Sequence, residues 1–306
     1  MRRWSDVVMM QVIWKHKKWF GYFFYGLLLT MSLLYYRFPS DAIRDHLKAT
    51  FLRINPQMVL AIGKVFPFFP FGMKWTDTQL SFKEEPGTLL FRANNVFIRP
   101  HLWSYMKGQA NFLFKCQAYG GTLRGHVHFL KNSFEAPFNT SITMKNIRID
   151  KDTLFPNIFD GHVEGVLEGT IKYSGQNNLL RQGSGEVNLR ILDGNTDLLQ
   201  SVLSLESVDF KEFFIKMILK NQIIDMTNTE LKGASMNGMV SGFISLKEEF
   251  SKSSLDLRIT IEPFVNLIKS LEKDGDSFQS FKQRLKRGKL SFVIRGTVGD
   301  PSIQFI

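Results

Sequence analysis

The chain has 306 residues, a formal charge of +11 and a single cysteine, Cys116. One cysteine excludes an intrachain disulfide and a four-cysteine metal site. The basic residues are spread along the chain and form no concentrated stripe with interleaved aromatic residues, which argues against a nucleic-acid partner. Aliphatic and aromatic residues make up 44% of the chain, which is enough for a sizeable core.

The first predicted element is a transmembrane helix over residues 19–37, preceded by a basic cytoplasmic leader over residues 1–18. No residue before Arg37 in this stretch is charged, and aromatic residues crowd both of its ends, as in an interfacial belt. Its length is near the lower end of the roughly 17–25 residues that span a bilayer. Three lysines between residues 15 and 18 predict a cytoplasmic N-terminus and a periplasmic remainder of a single-pass inner-membrane protein.

Two other interpretations of this stretch are a cleaved signal peptide and a buried core helix. Bulky residues follow the apolar stretch where a cleavage site needs small ones. A core helix is rarely hydrophobic all round for five turns. An uncleaved anchor therefore fits the stretch better than either alternative.

Residues 38–72 are predicted to form a helical linker that ends in a loop rich in proline and phenylalanine. Ser40 begins the first helix as a side-chain cap, and apolar residues recur at helical spacing as far as Ile54. A second short helix is predicted over residues 56–65. The two prolines within residues 66–72 argue against regular structure there. We expect a loop that covers the edge of a core or dips into the bilayer surface.

After Gly72 the hydrophobic period changes to two, and residues 73–306 are predicted to form a periplasmic β domain. Alternation of apolar and polar residues is typical of antiparallel strands with one wet face and one dry face. We expect about eleven such strands on this pattern. The clearest alternating segments are 110–118, 186–191, 254–261 and 289–295.

A glycine repeat recurs among these strands, with the form Gly-x-apolar-x-Gly-x-apolar-x-apolar. Its copies lie at residues 121–129, 165–173 and 238–246. In each copy the glycines and the apolar residues project from the same face. Because glycine inside a strand usually marks a bend or a close backbone approach, the repeat predicts a sheet that curls tightly or is closely approached there.

Few predicted helices are available to cover the dry face; the candidates are residues 198–203, 208–219 and 264–285. The predicted fold class is therefore mainly β with an N-terminal transmembrane helix. Its long curled antiparallel sheet must bury its dry face. The sheet either folds on itself as a sandwich or forms a trough whose groove holds apolar cargo.

No catalytic constellation emerges from the sequence, and we expect no enzyme activity, no cofactor and no metal. His126 and His128 share the wet face of one strand, but no carboxylate or cysteine cluster completes a metal site. Glu164 and Glu168 fit a solvated strand face. Cys116 alternates inward with phenylalanines, so we expect it to be an inert core residue.

Several segments along the chain share a layout with a known family. These are residues 38–43, 70–75, 98–100 and 296–301, together with the three glycine repeats. The layout resembles the type II secretion system protein N (GspN) family of Gram-negative bacteria. The resemblance implies a non-catalytic inner-membrane accessory in the transport of folded proteins from the periplasm across the outer membrane. The extended leader, with its apolar residues 7–14, departs from the short leader of the family.

Two functional hypotheses follow. The first, implied by the resemblance, is an assembly component whose partners are other inner-membrane or secretin components of the type II secretion system. The second starts from the similarity of the β domain to AsmA-like envelope proteins, whose trough is associated with lipid. It predicts a lipid-binding or lipid-transfer protein with membrane lipid and an apolar ligand as partners, and with no nucleic acid. The predicted groove lining is Leu123, Val127, Phe129, Leu167, Ile171, Val240 and Ile244.

Overall fold

The computed structural model describes residues 3–54, 56, 58–69, 71–83, 89–133, 135–150, 163–197, 207–265, 268, 285 and 287–306. The α-helices with both ends inside these ranges are α1 (Arg3–Tyr36), α2 (Ser40–Ile54) and α3 (Leu102–Met106). The strands are β1 (Met58–Ala61), β2 (Lys64–Phe68), β3 (Gly72–Phe82), β4 (Leu89–Pro100), β5 (Ala110–Ala118), β6 (Gly121–Phe129), β7 (Phe138–Ile149), β8 (Val163–Gly175), β9 (Ser184–Asp197), β10 (Ser207–Lys220), β11 (Ile223–Asp225), β12 (Thr229–Gly233), β13 (Met236–Ser245), β14 (Ser254–Pro263), β15 (Leu290–Thr297) and β16 (Pro301–Phe305).

All these strands belong to one antiparallel sheet, which confirms the prediction of a mainly β chain. From β3 to β10 each strand pairs with the next one along the chain, and the same holds from β13 to β16. The short strands β11 and β12 both lie between β10 and β13. The described strands number sixteen. The prediction of about eleven, made for residues 73–306, was too low. Strands β1 and β2 lie before that range, short strands carry too little alternation to be counted, and β10 was assigned to a helix.

The predicted transmembrane helix is not confirmed. Residues 19–36 are helical, as the C-terminal half of α1, but none of the described helices is long and apolar enough to cross a membrane. Within these residues four tyrosines, a tryptophan and two glycines lower the mean hydropathy of the stretch. The residues of the predicted leader from Arg3 onward are helical as well, because α1 begins at Arg3.

Helix α2 begins at Ser40 as predicted, but the Ser40 side chain, predicted to cap the helix, bonds to the edge of the sheet. The Ser40 hydroxyl donates a hydrogen bond to the carbonyl oxygen of Val65 (2.7 Å) and accepts one from the Val65 N–H (3.3 Å). These two backbone groups point away from the neighbouring strand, so without Ser40 they would be an open pairing edge. Val65 itself is fully buried.

The predictions of a second helix over residues 56–65 and of a loop over residues 66–72 are both wrong, because the structure has the strands β1 and β2 there. These strands pair with β3, and a break at Ile62 and Gly63 separates them. The break shifts the apolar alternation by one residue, and the shifted spacing resembles a helical period. Pro67 is tolerated because β2 pairs only with β3 among the described strands. Its other edge has no partner among these strands, so a missing N–H there breaks no hydrogen bond of the sheet.

The helix predicted over residues 208–219 is also wrong, because these residues form β10. Phe210 and Phe213 recur at helical spacing, but a bulge between Phe210 and Glu212 lets both side chains project from the same face of the strand. Phe214 and Ile218 lie on the opposite face and extend the helix-like pattern. The stretch 198–203 and most of 264–285, the other predicted helices, lie outside the described residues.

Five of the six glycines of the repeat occupy positions where neighbouring atoms leave no room for a side chain. A Cβ on Gly169 would overlap the carbonyl oxygen of Asn188, and one on Gly242 would overlap that of Asp256. Both glycines also have positive φ angles, 151° and 133°. The close backbone approach predicted from the repeat is therefore confirmed at these positions. Gly238 differs, since a Cβ there would meet only the Leu231 Cβ, at 3.5 Å.

Two substitutions within β13 test this distinction. We expect Gly242→Ala to lower the free energy of unfolding by about 2–4 kcal/mol, because backbone strain adds to a backbone clash. Gly238→Ala is the matched control, and we expect a change of less than about 1 kcal/mol, because the methyl group fits. Urea denaturation of both variants gives the comparison. Equal losses would contradict the close approach at Gly242.

Candidate functional site

The register of the antiparallel pairs sorts the strand residues onto two faces. Leu123 lies opposite Met144, which lies opposite Gly169. The same row continues through Leu189 to Ile215. We call the face that carries this row the apolar face and the opposite one the polar face.

The apolar face carries no charge over its described length. Among the described strand residues outside the bulges, the register places no Asp, Glu, Lys, Arg or His on it. Few of its large side chains are fully buried, and most are partly exposed. A wide surface of this composition gains free energy from contact with other apolar atoms and loses it in water.

All seven predicted lining residues lie on the apolar face. Phe129 and Leu167 are buried. The other five keep part of their surface accessible: Leu123, Val127, Ile171, Val240 and Ile244. Since these residues span β6 to β13, the accessible apolar surface crosses most of the sheet.

One end of the apolar face is packed more tightly than the rest. Its buried cluster consists of Met144, Ile147, Leu167, Ile191 and Phe210. Leu123 and Ile171 pack against this cluster while remaining partly exposed. The cluster therefore supplies a rigid floor, and the accessible side chains begin at its margin.

A row of aromatic rings crosses the other end of the apolar face. Phe112 and Phe129 meet edge to face, with centroids 6.4 Å apart, and Phe138 is 5.6 Å from Phe129. Tyr173 follows at 5.6 Å from Phe138. The Tyr173 hydroxyl donates a hydrogen bond to the carbonyl of Leu180 (2.6 Å), and burial raises the pKa of the hydroxyl. The row is thus apolar along its length with one polar group at its end.

Cys116 lies on the opposite face of the sheet from His126 and His128. Cys116 is 4% exposed, and burial raises the pKa of its thiol to about 12. His126 and His128 lie on the polar face, opposite Ser141 and Asn139. Within the described ranges, no group of three or more His, Cys, Asp or Glu residues could hold a metal ion.

The polar face contains a second candidate site that the sequence did not reveal. Lys74, Arg99, Lys115 and Arg124, which we call the basic patch, lie on four adjacent strands. Arg99, Lys115 and Arg124 line a surface depression of about 750 Å³. In the sequence these cations are isolated residues at alternating positions. Only the cross-strand register brings them together, so no local pattern could have predicted the patch.

No protein-family model matches the sequence, and no curated protein or solved structure is significantly similar to it. The resemblance to the GspN family and the similarity to AsmA-like proteins therefore remain predictions.

The buried thiol gives a direct test of packing on the apolar face. We expect Cys116 of the folded chain to react very slowly with a maleimide. The thiol is inaccessible, and it stays protonated at pH values above its ordinary pKa of 9.0. Labelling in urea is the positive control, and Cys116→Ala gives the background. Rapid labelling of the folded protein near pH 8 would contradict this packing.

Proposed function

We propose that the protein is a non-catalytic lipid-binding protein whose apolar face holds acyl chains. The single observation that carries the proposal is the absence of charge from the described strand residues of that face, over a width of several strands. Acyl chains need no hydrogen bonds, and they gain about 0.8 kcal/mol for each methylene group that leaves water. In this proposal the sheet is a trough, and the partly exposed lining residues are its interior.

The positions of the accessible lining residues suit a long, thin ligand. Val127 and Ile171 lie on β6 and β8, and Val240 and Ile244 lie on β13. Strands in a sheet are spaced by about 4.8 Å, so a ligand that touches both groups must extend over several strands. An extended hydrocarbon chain satisfies that requirement, whereas a compact apolar ligand does not.

We further propose that the protein works at the inner membrane, as the sequence predicts. Exposed aromatic side chains in α1 support this location, because Trp and Tyr favour the interface between bilayer and water. An assembly role in type II secretion is the competing hypothesis. Its support is the outer edge of β16, which pairs only with β15 among the described strands and could accept a strand from a partner.

Paired substitutions on opposite faces of β6 and β8 test the proposal. We expect Val127→Thr combined with Ile171→Thr to weaken binding of a fluorescent long-chain fatty acid about tenfold, because two hydroxyl groups enter an apolar contact. Thr122→Val combined with Thr170→Val is the matched control on the polar face. We expect that variant to bind as the unmodified chain does.

The measurement is the dissociation constant of the fatty acid, with thermal unfolding followed in parallel to verify the fold. No binding by the unmodified chain would contradict the proposal and leave the assembly role as the better hypothesis. Equal weakening in both double variants would also contradict it.

A further inference from the structure

The basic patch combines cations with an aromatic wall on the polar face. Phe68 and Phe97 meet edge to face, with ring centroids 5.3 Å apart. The Arg99 guanidinium lies over the Phe68 ring, 4.5 Å from its centroid. The Lys74 ammonium group lies 5.6 Å from the centroid of Phe97. These contacts hold two cations in defined positions beside an apolar surface.

A glycine makes the arrangement around Arg99 feasible. Gly72 lies between Phe68 and Arg99 in the cross-strand row. A Cβ on Gly72 would lie 3.0 Å from the Arg99 Cγ and 2.8 Å from the carbonyl oxygen of Ile98. Because Gly72 has no side chain, the Arg99 side chain can lie across it and reach the ring of Phe68.

Two cations of the patch face each other without a neutralising partner. Lys115 and Arg124 are directly opposite on β5 and β6. Like charges in this position destabilise an antiparallel pair. No cation of the basic patch forms an ion pair with another described residue. The register also places no carboxylate beside them on the polar face of β2 to β7, outside the bulges.

Some other cations on the polar face have ion-pair partners. Glu212 accepts ion pairs from Arg190 (2.8 Å) and Lys232 (3.1 Å). Arg295 pairs with Asp256 at 3.4 Å. These cations are neutralised within the sheet, whereas none of the four cations of the basic patch has an ion-pair partner among the described residues. An anion bound at the patch would remove the repulsion between its cations.

Apolar side chains at the end of the sheet next to the basic patch indicate which class of anion the patch binds. The β2–β3 turn exposes Phe69 and Phe71, and α3 exposes Trp103 and Met106. The pairing of β3 with β4 brings the turn and α3 to the same end of the sheet, next to Arg99. Exposed aromatic side chains beside cations are typical of surfaces that enter the headgroup region of a bilayer.

We propose that the basic patch binds the phosphate-bearing headgroups of an anionic phospholipid membrane. Phe69, Phe71 and Trp103 then enter the interface, and Lys115 and Arg124 lie at the level of the phosphates. The orientation brings this end of the sheet, with its aromatic row, to the bilayer surface. The proposal does not require the apolar face to bind acyl chains, so it stands or fails separately.

Vesicle co-sedimentation with the full chain tests the proposal. The probes are vesicles of phosphatidylcholine alone and of phosphatidylcholine with phosphatidylglycerol. We expect Lys115→Gln combined with Arg124→Gln to reduce partitioning onto the anionic vesicles about thirtyfold, since each cation near such a surface contributes about 1 kcal/mol. Binding to neutral vesicles, which measures the contribution of the exposed aromatic residues, should not change.

Lys216→Gln combined with Arg258→Gln is the matched control. Like Lys115 and Arg124, these two residues are a partly buried lysine and an exposed arginine on the polar face. They lie on β10 and β14, outside the basic patch. We expect this variant to lose at most about threefold through the lower net charge. Circular dichroism and thermal unfolding verify the fold of both variants.

Three outcomes would overturn the proposal. The first is equal partitioning of the unmodified chain onto neutral and anionic vesicles. The second is the same loss in both double variants, which would show that net charge and not the patch is responsible. The third is tighter binding of a single-stranded oligonucleotide than of anionic vesicles, abolished by Lys115→Gln with Arg124→Gln, which would identify a nucleic-acid site.

Discussion

Each antiparallel pair in the sheet fixes the register of its two strands, and because side chains alternate with period two, the register decides which residues meet on each face. A slip of one residue between β5 and β6, for example, would bring Arg124 onto the apolar face. The lack of charge there in the described strands therefore depends on the whole ladder of pairs. The bulges keep this sorting intact, since after each one the apolar residues return to the same face.

The two ends of the sheet differ in what they can do. At one end the cluster around Ile147 and Phe210 is buried and fixes the strands in place. At the other end the aromatic row that ends at Tyr173 remains near the surface. The basic patch and the exposed side chains of α3 adjoin that second end. A lipid bound at the patch would thus be close to where the proposed trough opens, which links the two proposals without making either depend on the other.

The sequence allowed the sheet to be predicted wherever alternation runs without interruption. Residues 254–261 alternate without exception and all lie in β14. Prediction failed where a bulge or break shifts the alternation, because the shifted spacing of Phe210 and Phe213 matches a helix as well as a strand. The seven lining residues could be assigned to one face from their strands alone. The basic patch could not be predicted, because its cations become neighbours only through the pairing of β3 to β6.

The central claim is that the apolar face holds hydrocarbon chains. A crystal structure of the full chain grown with a long-chain fatty acid tests this claim most directly. We expect elongated density along the apolar face, in contact with Leu123, Ile171 and Ile244, with the carboxylate near the end that carries the aromatic row. An apolar face covered along its whole length by the chain's own side chains, with no space for a ligand, would contradict it.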